Sequence, residues 1–320
     1  MGFSDTALGS ILGSSSCSGT FLSNVTYGPP LLHCREVKWI LWLGCAAVAL
    51  PQSVQVEKIA GGFGFLEGPV WSRENFLVFS DLARNKMLKL SPGEGRADLR
   101  TDSAGANGNT YDASGKLYTC EGRGRRVVRE DKKGRVEVLA DRWQGKRLNA
   151  PSDIVVRKDG EIYFTDPAFG REQDTRELDF YGVYRISRKG ALEVVAKPKG
   201  RPHGIALAPS GRILYVTNAD ERNVRAYDLD KNGAASNERV LIDGIAGVPG
   251  GIRTSEEGNL FIAAKGILLY SPQGKLLSTY SIPETPSNCA FGDGDLHGLY
   301  ITARTSLYRI RLEDKGSLQY

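Results

Sequence analysis

Six residues recur at one slot of this sequence: Glu67, Asn107, Ser152, His203, Gly250 and Asn288. They stand about 40 to 50 residues apart, and each leads into a short strand-like stretch. All but Gly250 carry a side-chain oxygen or nitrogen, which an inert packed channel would not call for. A carboxylate and amides converging on one point suit calcium or magnesium, which take hard oxygen ligands. An imidazole among them moves the preference toward zinc or another transition metal. The residue after the slot is mostly glycine (Gly68, Gly108, Gly204, Gly251), which lets a ligand come close to the backbone. A second polar set, Asp81, Glu121, Asp166 and Asn218, ends return strands at the same face. Asp166 is the first candidate for a general base that takes a proton from an attacking water. The competing reading of each strand-end acid is a turn or strand cap. Arg147 and Asn149 are candidates to face a polar substrate, with a surface-loop cation as the other reading of Arg147. Of three histidines, His33 and His297 lie in the leader and in a turn, so no Ser/His/Asp triad is expected.

The slot has meaning only if the surrounding elements repeat, and they do. Six units read apolar strand, Gly-bearing turn, second strand: 69–81, 110–121, 154–166, 205–218, 252–264 and 291–303. Val78, Tyr118, Tyr163, Tyr215, Phe261 and Tyr300 hold equivalent places in the second strands. In the fourth unit Asn223–Asp228 and Arg239–Ile242 supply a third and fourth strand. The expected fold is therefore all-β, a six-bladed propeller with four-stranded antiparallel blades. The first strand of a blade lines the central channel, so the slot lies at one mouth of it. Little chain follows Ser306–Leu312, and residues 54–59 are expected to complete that blade and leave no free edge.

Residues 1–53 stand outside the repeat and 54–320 form the propeller. Arg35 and Lys38 precede the apolar run 39–50, which is short for a membrane span. The pattern predicts a cleaved secretory signal behind an unstructured extension over 1–34; an uncleaved anchor is the alternative. The expected location is secreted or periplasmic, with no stable membrane span after cleavage. About 265 residues remain, enough for one large β domain. The net charge of +5 is modest, and the basic stretch 123–135 lacks interleaved aromatics, so it reads as a solvated outer hairpin and no nucleic-acid partner is expected. Cys120 and Cys289 fall in different blades and read as buried and unpaired.

Several motifs together resemble the regucalcin/gluconolactonase family of lactone hydrolases. They are Phe65-Leu66-Glu67-Gly68-Pro69-Val70-Trp71, Ala106-Asn107-Gly108, Cys120-Glu121-Gly122, Leu139-Ala140-Asp141-Arg142, Gly145-Lys146-Arg147-Leu148-Asn149, Tyr163-Phe164-Thr165-Asp166-Pro167 and Tyr300-Ile301-Thr302-Ala303-Arg304. The resemblance implies hydrolysis of a sugar lactone or similar cyclic ester, assisted by one divalent cation on the axis, usually calcium. It implies metal ligands from a Glu-Gly-Pro, a Pro-Asn-Gly and a Pro-Asp-Gly motif, with an Asn of an Asn-Asp motif in support. Only Glu67 carries over intact. His203 replaces the first Asn, Gly250 the Asp and Ser152 the second Asn. The implied metal site is then Glu67 with His203, holding calcium, zinc or another transition metal, or no metal at all. Asn107, Arg147, Asn149, Ser152 and Asn288 would face the substrate. An extracytoplasmic ligand-binding propeller that has lost catalysis is the rival reading.

Overall fold

The computed structural model describes residues 54–318; the leader expected over 1–53 lies outside the described residues. Six four-stranded antiparallel sheets follow one another along the chain. Their first strands are Leu66–Ser72, Ala106–Tyr111, Ile154–Val156, Pro202–Leu207, Ile252–Thr254 and Pro286–Gly292, for blades 1 to 6. Each pairs with the next strand along the chain, and those pair outward in turn. Local chemistry drives this order. In blade 3, Ile162–Asp166 is rich in β-branched and aromatic residues, which suit a strand packed on both faces. The preceding turn is closed by Gly160, whose N–H donates to Arg157 O at 2.7 Å with φ near 91°. Such a backbone angle is strained for residues with a Cβ, and Gly115, Gly211 and Gly258 serve the same turn in blades 2, 4 and 5.

The six second-strand positions matched in sequence are equivalent in space. Val78, Tyr118, Tyr163, Tyr215, Phe261 and Tyr300 sit opposite Val70, Thr110, Val155, Ala206, Arg253 and Ala290 of the first strands. Blade 6 is closed by the strand Val56–Gly61, which pairs antiparallel with Ser306–Arg311 from Val56↔Ile310 to Gly61↔Ser306. The closing strand thus lies two residues later than expected.

Apolar side chains gather into six clusters, one between each pair of neighbouring blades. Blades 3 and 4 meet through Val155, Tyr163, Ile205 and Val216, and blades 5 and 6 through Phe261, Phe291 and Ile301. Burying one such side chain is worth about 1.5–3 kcal/mol, so hydrophobic packing between sheets holds the ring together. Near the channel mouth the blades are joined by polar bonds as well. Ser80 of blade 1 donates to Asn107 O (2.8 Å), Cys120 of blade 2 to Asp153 O (3.6 Å), Thr165 of blade 3 to His203 O (2.6 Å) and Thr217 of blade 4 to Gly250 O (2.7 Å). These donors all stand one residue before the end of a second strand. Cys120 and Cys289 are buried and free.

At the opposite end of the channel residues 316–318 attach to blades 5 and 6. Ser317 N–H donates to Thr254 O (3.0 Å) and Gly316 N–H to Leu296 O (2.9 Å). Ser317 and Leu318 line a cavity of about 50 Å³ together with residues from all six first strands. The basic stretch 123–135 forms the outer hairpin of blade 2, with Arg126 paired to Glu121, Arg129 to Glu137 and Arg135 to Asp131.

Candidate functional site

Glu67 enters the mouth at the start of blade 1 and is only 3% exposed. Its Oε2 accepts from Gly68 N–H (3.0 Å) and from Asn288 Nδ2 (3.2 Å). Its Oε1 faces His203 Nε2 of blade 4 at 3.6 Å. His203 Nδ1 lies 3.3 Å from Pro249 O, and Nε2 faces the carboxylate, so the protonated ring has an acceptor at each nitrogen. Phe169 lies beside the imidazole, with ring centroids 4.9 Å apart, and is itself stacked under Arg201, which is paired with Asp220. Burial pulls the His203 pKa down, but the Glu67 hydrogen bond and charge, Asp153 and the Pro249 carbonyl outweigh it, so the net shift is upward.

Blades 2 and 3 add Asn107 and Ser152, joined by an Nδ2–Oγ hydrogen bond of 3.3 Å. Asn107 also lines a pocket of about 170 Å³ with Leu82, Arg123, Pro151, Phe169 and Glu172. The structure thus brings Glu67 and His203 face to face and puts Asn107 beside Ser152. Asn288 joins Glu67, but by a different route from the one expected. Register places Ser287 in the sixth slot: Pro286 pairs with Ala303, and the strand bulges before Asn288 pairs with Thr302. Ser287 turns its hydroxyl onto Leu66 O (2.6 Å), and Asn288 is the residue after the slot.

The glycines after the slot have another reason than ligand approach. A Cβ on Gly68 would stand 1.8 Å from Asn107 O, one on Gly108 2.6 Å from Ser152 O, and one on Gly204 2.4 Å from Gly250 O. They let each blade's backbone press against the next.

Asp166 does not fill the role expected of it. Its two carboxylate oxygens accept from Asn149 N–H and Ala150 N–H, both at 2.8 Å, inside its own blade. Asp81 binds Gly64 N–H and Phe65 N–H at the same relative positions in blade 1. Both are clamps on the loop leading into the first strand, the capping alternative. Burial raises the Asp166 pKa to about 7, against the pull of its two N–H donors. That value would suit a base, but both its oxygens are engaged, and geometry decides. Glu121 is likewise committed to Arg100 and Arg126, and Asn218 to the turn after it. Asn149 is fully buried, its amide N–H groups donating to Asp166 O and Phe180 O, which makes it a loop brace. Arg147 is tied through its backbone N–H to Glu177, on the blade 3 loop.

One residue escapes a slot-by-slot reading. Arg253 holds the channel-lining position that Val70, Thr110, Val155, Ala206 and Ala290 fill in the other blades. Its guanidinium is 3.3 Å from Asp153 Oδ2, donates to Ile252 O (2.7 Å) and reaches Pro69 O across the ring (3.5 Å). Asp153 is buried, and its Oδ1 and Oδ2 also accept from Ile154 and Ile205 N–H. Burial and the Glu67 charge raise its pKa, with Arg253 opposing them. The signal for Arg253 was present: it is the one Lys or Arg among the six first strands.

The axial residues do not complete a metal site. Calcium takes six to eight oxygens. Here Asn288 offers Glu67 its amide nitrogen, and Gly250 has no side chain to give. Catalytic zinc takes three protein ligands, whereas Glu67 and His203 are two, and Asp153 is bound to Arg253. Among the described residues no group of three or more His, Cys, Asp or Glu could hold an ion.

Comparison with known proteins places the chain. A gluconolactonase of Zymomonas mobilis is 34% identical, over 83% of this chain and 84% of its own. A pentonolactonase of Haloferax volcanii is 26% identical, over 74% and 80%. The structure of a gluconolactonase from Xanthomonas campestris superposes with a TM-score of 0.76 at 31% identity, covering 81% of this chain and 90% of that one. Residues 65–305 match the SMP-30/Gluconolactonase/LRE-like region, and with its six blades and Glu67 at their mouth this chain belongs to that family.

Proposed function

We propose that this chain hydrolyses a sugar lactone or a related cyclic ester at the mouth formed by Glu67, Asn107, Ser152 and His203. The observation that carries the reading is the buried Glu67–His203 pair, 3.6 Å apart, in a chain related to lactonases. Glu67 takes a proton from the attacking water, whose oxygen bonds to the lactone carbonyl carbon. The carbonyl oxygen gains charge beside Asn107 and Ser152, whose amide and hydroxyl are donors to it. The ring C–O bond then breaks, and the leaving oxygen receives a proton from His203, giving the open hydroxy acid. No step passes through a metal.

The test is hydrolysis of a panel of aldonolactones by purified protein, followed by acid release. Glu67→Gln is expected to lower kcat about 10²–10⁴-fold, the usual worth of a general base. A wild-type protein inert on every lactone would end this reading. It would favour a ligand-binding propeller without catalysis, which the replacements at Ser152, His203 and Gly250 also suit. The proposed location is secreted or periplasmic and rests on the run 39–50 behind Arg35 and Lys38. N-terminal sequencing of the protein recovered from cells checks it: a start near residue 54 supports export, and an intact residue 1 on cytoplasmic protein contradicts it.

A further inference from the structure

The axial centre of this chain carries two buried carboxylates, Glu67 and Asp153, exposed by 3% and 1%. Two acids at one mouth require compensating positive charge. The chain supplies it from two other blades. Arg253 meets Asp153, and its planar fork also meets carbonyls of blades 1 and 5, spanning the channel that a bound cation would otherwise neutralise. His203 faces Glu67. The slot where an aspartate is implied is closed to one. A Cβ on Gly250 would stand 2.1 Å from Ser287 O, backbone against backbone, so a side chain there needs blades 5 and 6 to part.

We infer that the axial centre of this chain holds no divalent cation and that the guanidinium of Arg253, locked to Asp153, supplies the fixed positive charge in its place. Arg253 is a positioning residue: it neutralises Asp153 and ties blade 5 to blades 3 and 1, which holds the Glu67 mouth in shape. The inference concerns the same mouth as the proposed hydrolysis, but its readouts are metal content and melting, so either can fail alone.

Elemental analysis of the purified full chain, never exposed to chelator, comes first. Calcium, magnesium and zinc are each expected far below one per chain, with a melting temperature unmoved by EDTA, CaCl2 or ZnCl2. One equivalent of any of these metals overturns the inference, and so does an upward shift of roughly 5 °C or more on adding one, the size a filled site produces. The second arm melts Arg253→Met, Asp153→Asn and the pair together. Arg253→Met is expected to lose stability strongly, because Asp153 is left buried and unpaired, and the double variant to recover most of that loss. Losses that simply add show that Arg253 acts by packing alone and overturn its assigned role. Should Arg253→Met not fold, recovery of a folded double variant carries the inference, and an unfolded one counts against it.

Discussion

Asp166 shows how a side chain's partners decide its role. A fully buried carboxyl pushed from the ordinary 3.8 to about 7 has the number expected of a base, yet both its oxygens brace residues 149–150. Its shift belongs to stability. The folded protein holds this proton where the unfolded chain releases it, so the Asp166 contribution is complete below pH 3.8 and is lost as pH rises to about 7. Asp166→Asn removes that dependence. Urea unfolding of both proteins should show the variant's deficit shrinking across this window; a deficit constant with pH contradicts the burial argument. At this scale the positions of Glu67 and His203 at one mouth were legible because each opens a repeated unit. The sixth slot was read one residue late, at Asn288 instead of Ser287, because the blade 6 hairpin is longer: Ala290 pairs with Tyr300, whereas Val155 of blade 3 pairs with the nearer Tyr163. Asp166 was misread because its partners are backbone N–H groups of residues 149–150, which residue types alone do not reveal.

Single elements matter here through their contacts with the next blade. The second strands were legible from alternating β-branched and aromatic residues, and the outermost strands less so. Gly95–Arg100 is almost wholly exposed, and nothing buried marks its limits. The glycine after the slot was legible as a position and misjudged as to cause, because sequence cannot show that its neighbour is a carbonyl of the adjacent blade. Gly204→Ala tests the corrected cause. Its new methyl meets Gly250 O at 2.4 Å and must push blades 4 and 5 apart. A cost of about 2 kcal/mol, seen as a melting temperature lower by roughly 5 °C, is expected. An unchanged melting temperature would show that the blades have slack there.

The whole ring depends on a strand from one end of the described chain pairing with a strand near the other. Val56–Gly61 covers Ser306–Arg311, and Ile59 and Ala60 pack on the cluster between blades 6 and 1. Deleting residues 54–61 bares an edge strand and part of two interfaces at once. The expected result is aggregation on purification, measured by size-exclusion chromatography; a soluble monomer with unaltered melting would mean the ring closes without its clasp. This closure was foreseen from a count of units, because six units with an incomplete last blade leave one arrangement.

Arg253, reaching Asp153 and Pro69 O across the channel above Ser317 and Leu318, makes the ring a cup rather than a tube. Whatever reaches Glu67 arrives and departs through one doorway. A spent molecule lingering there bars the next arrival, and no long polymer can be drawn through the centre and cut in passing.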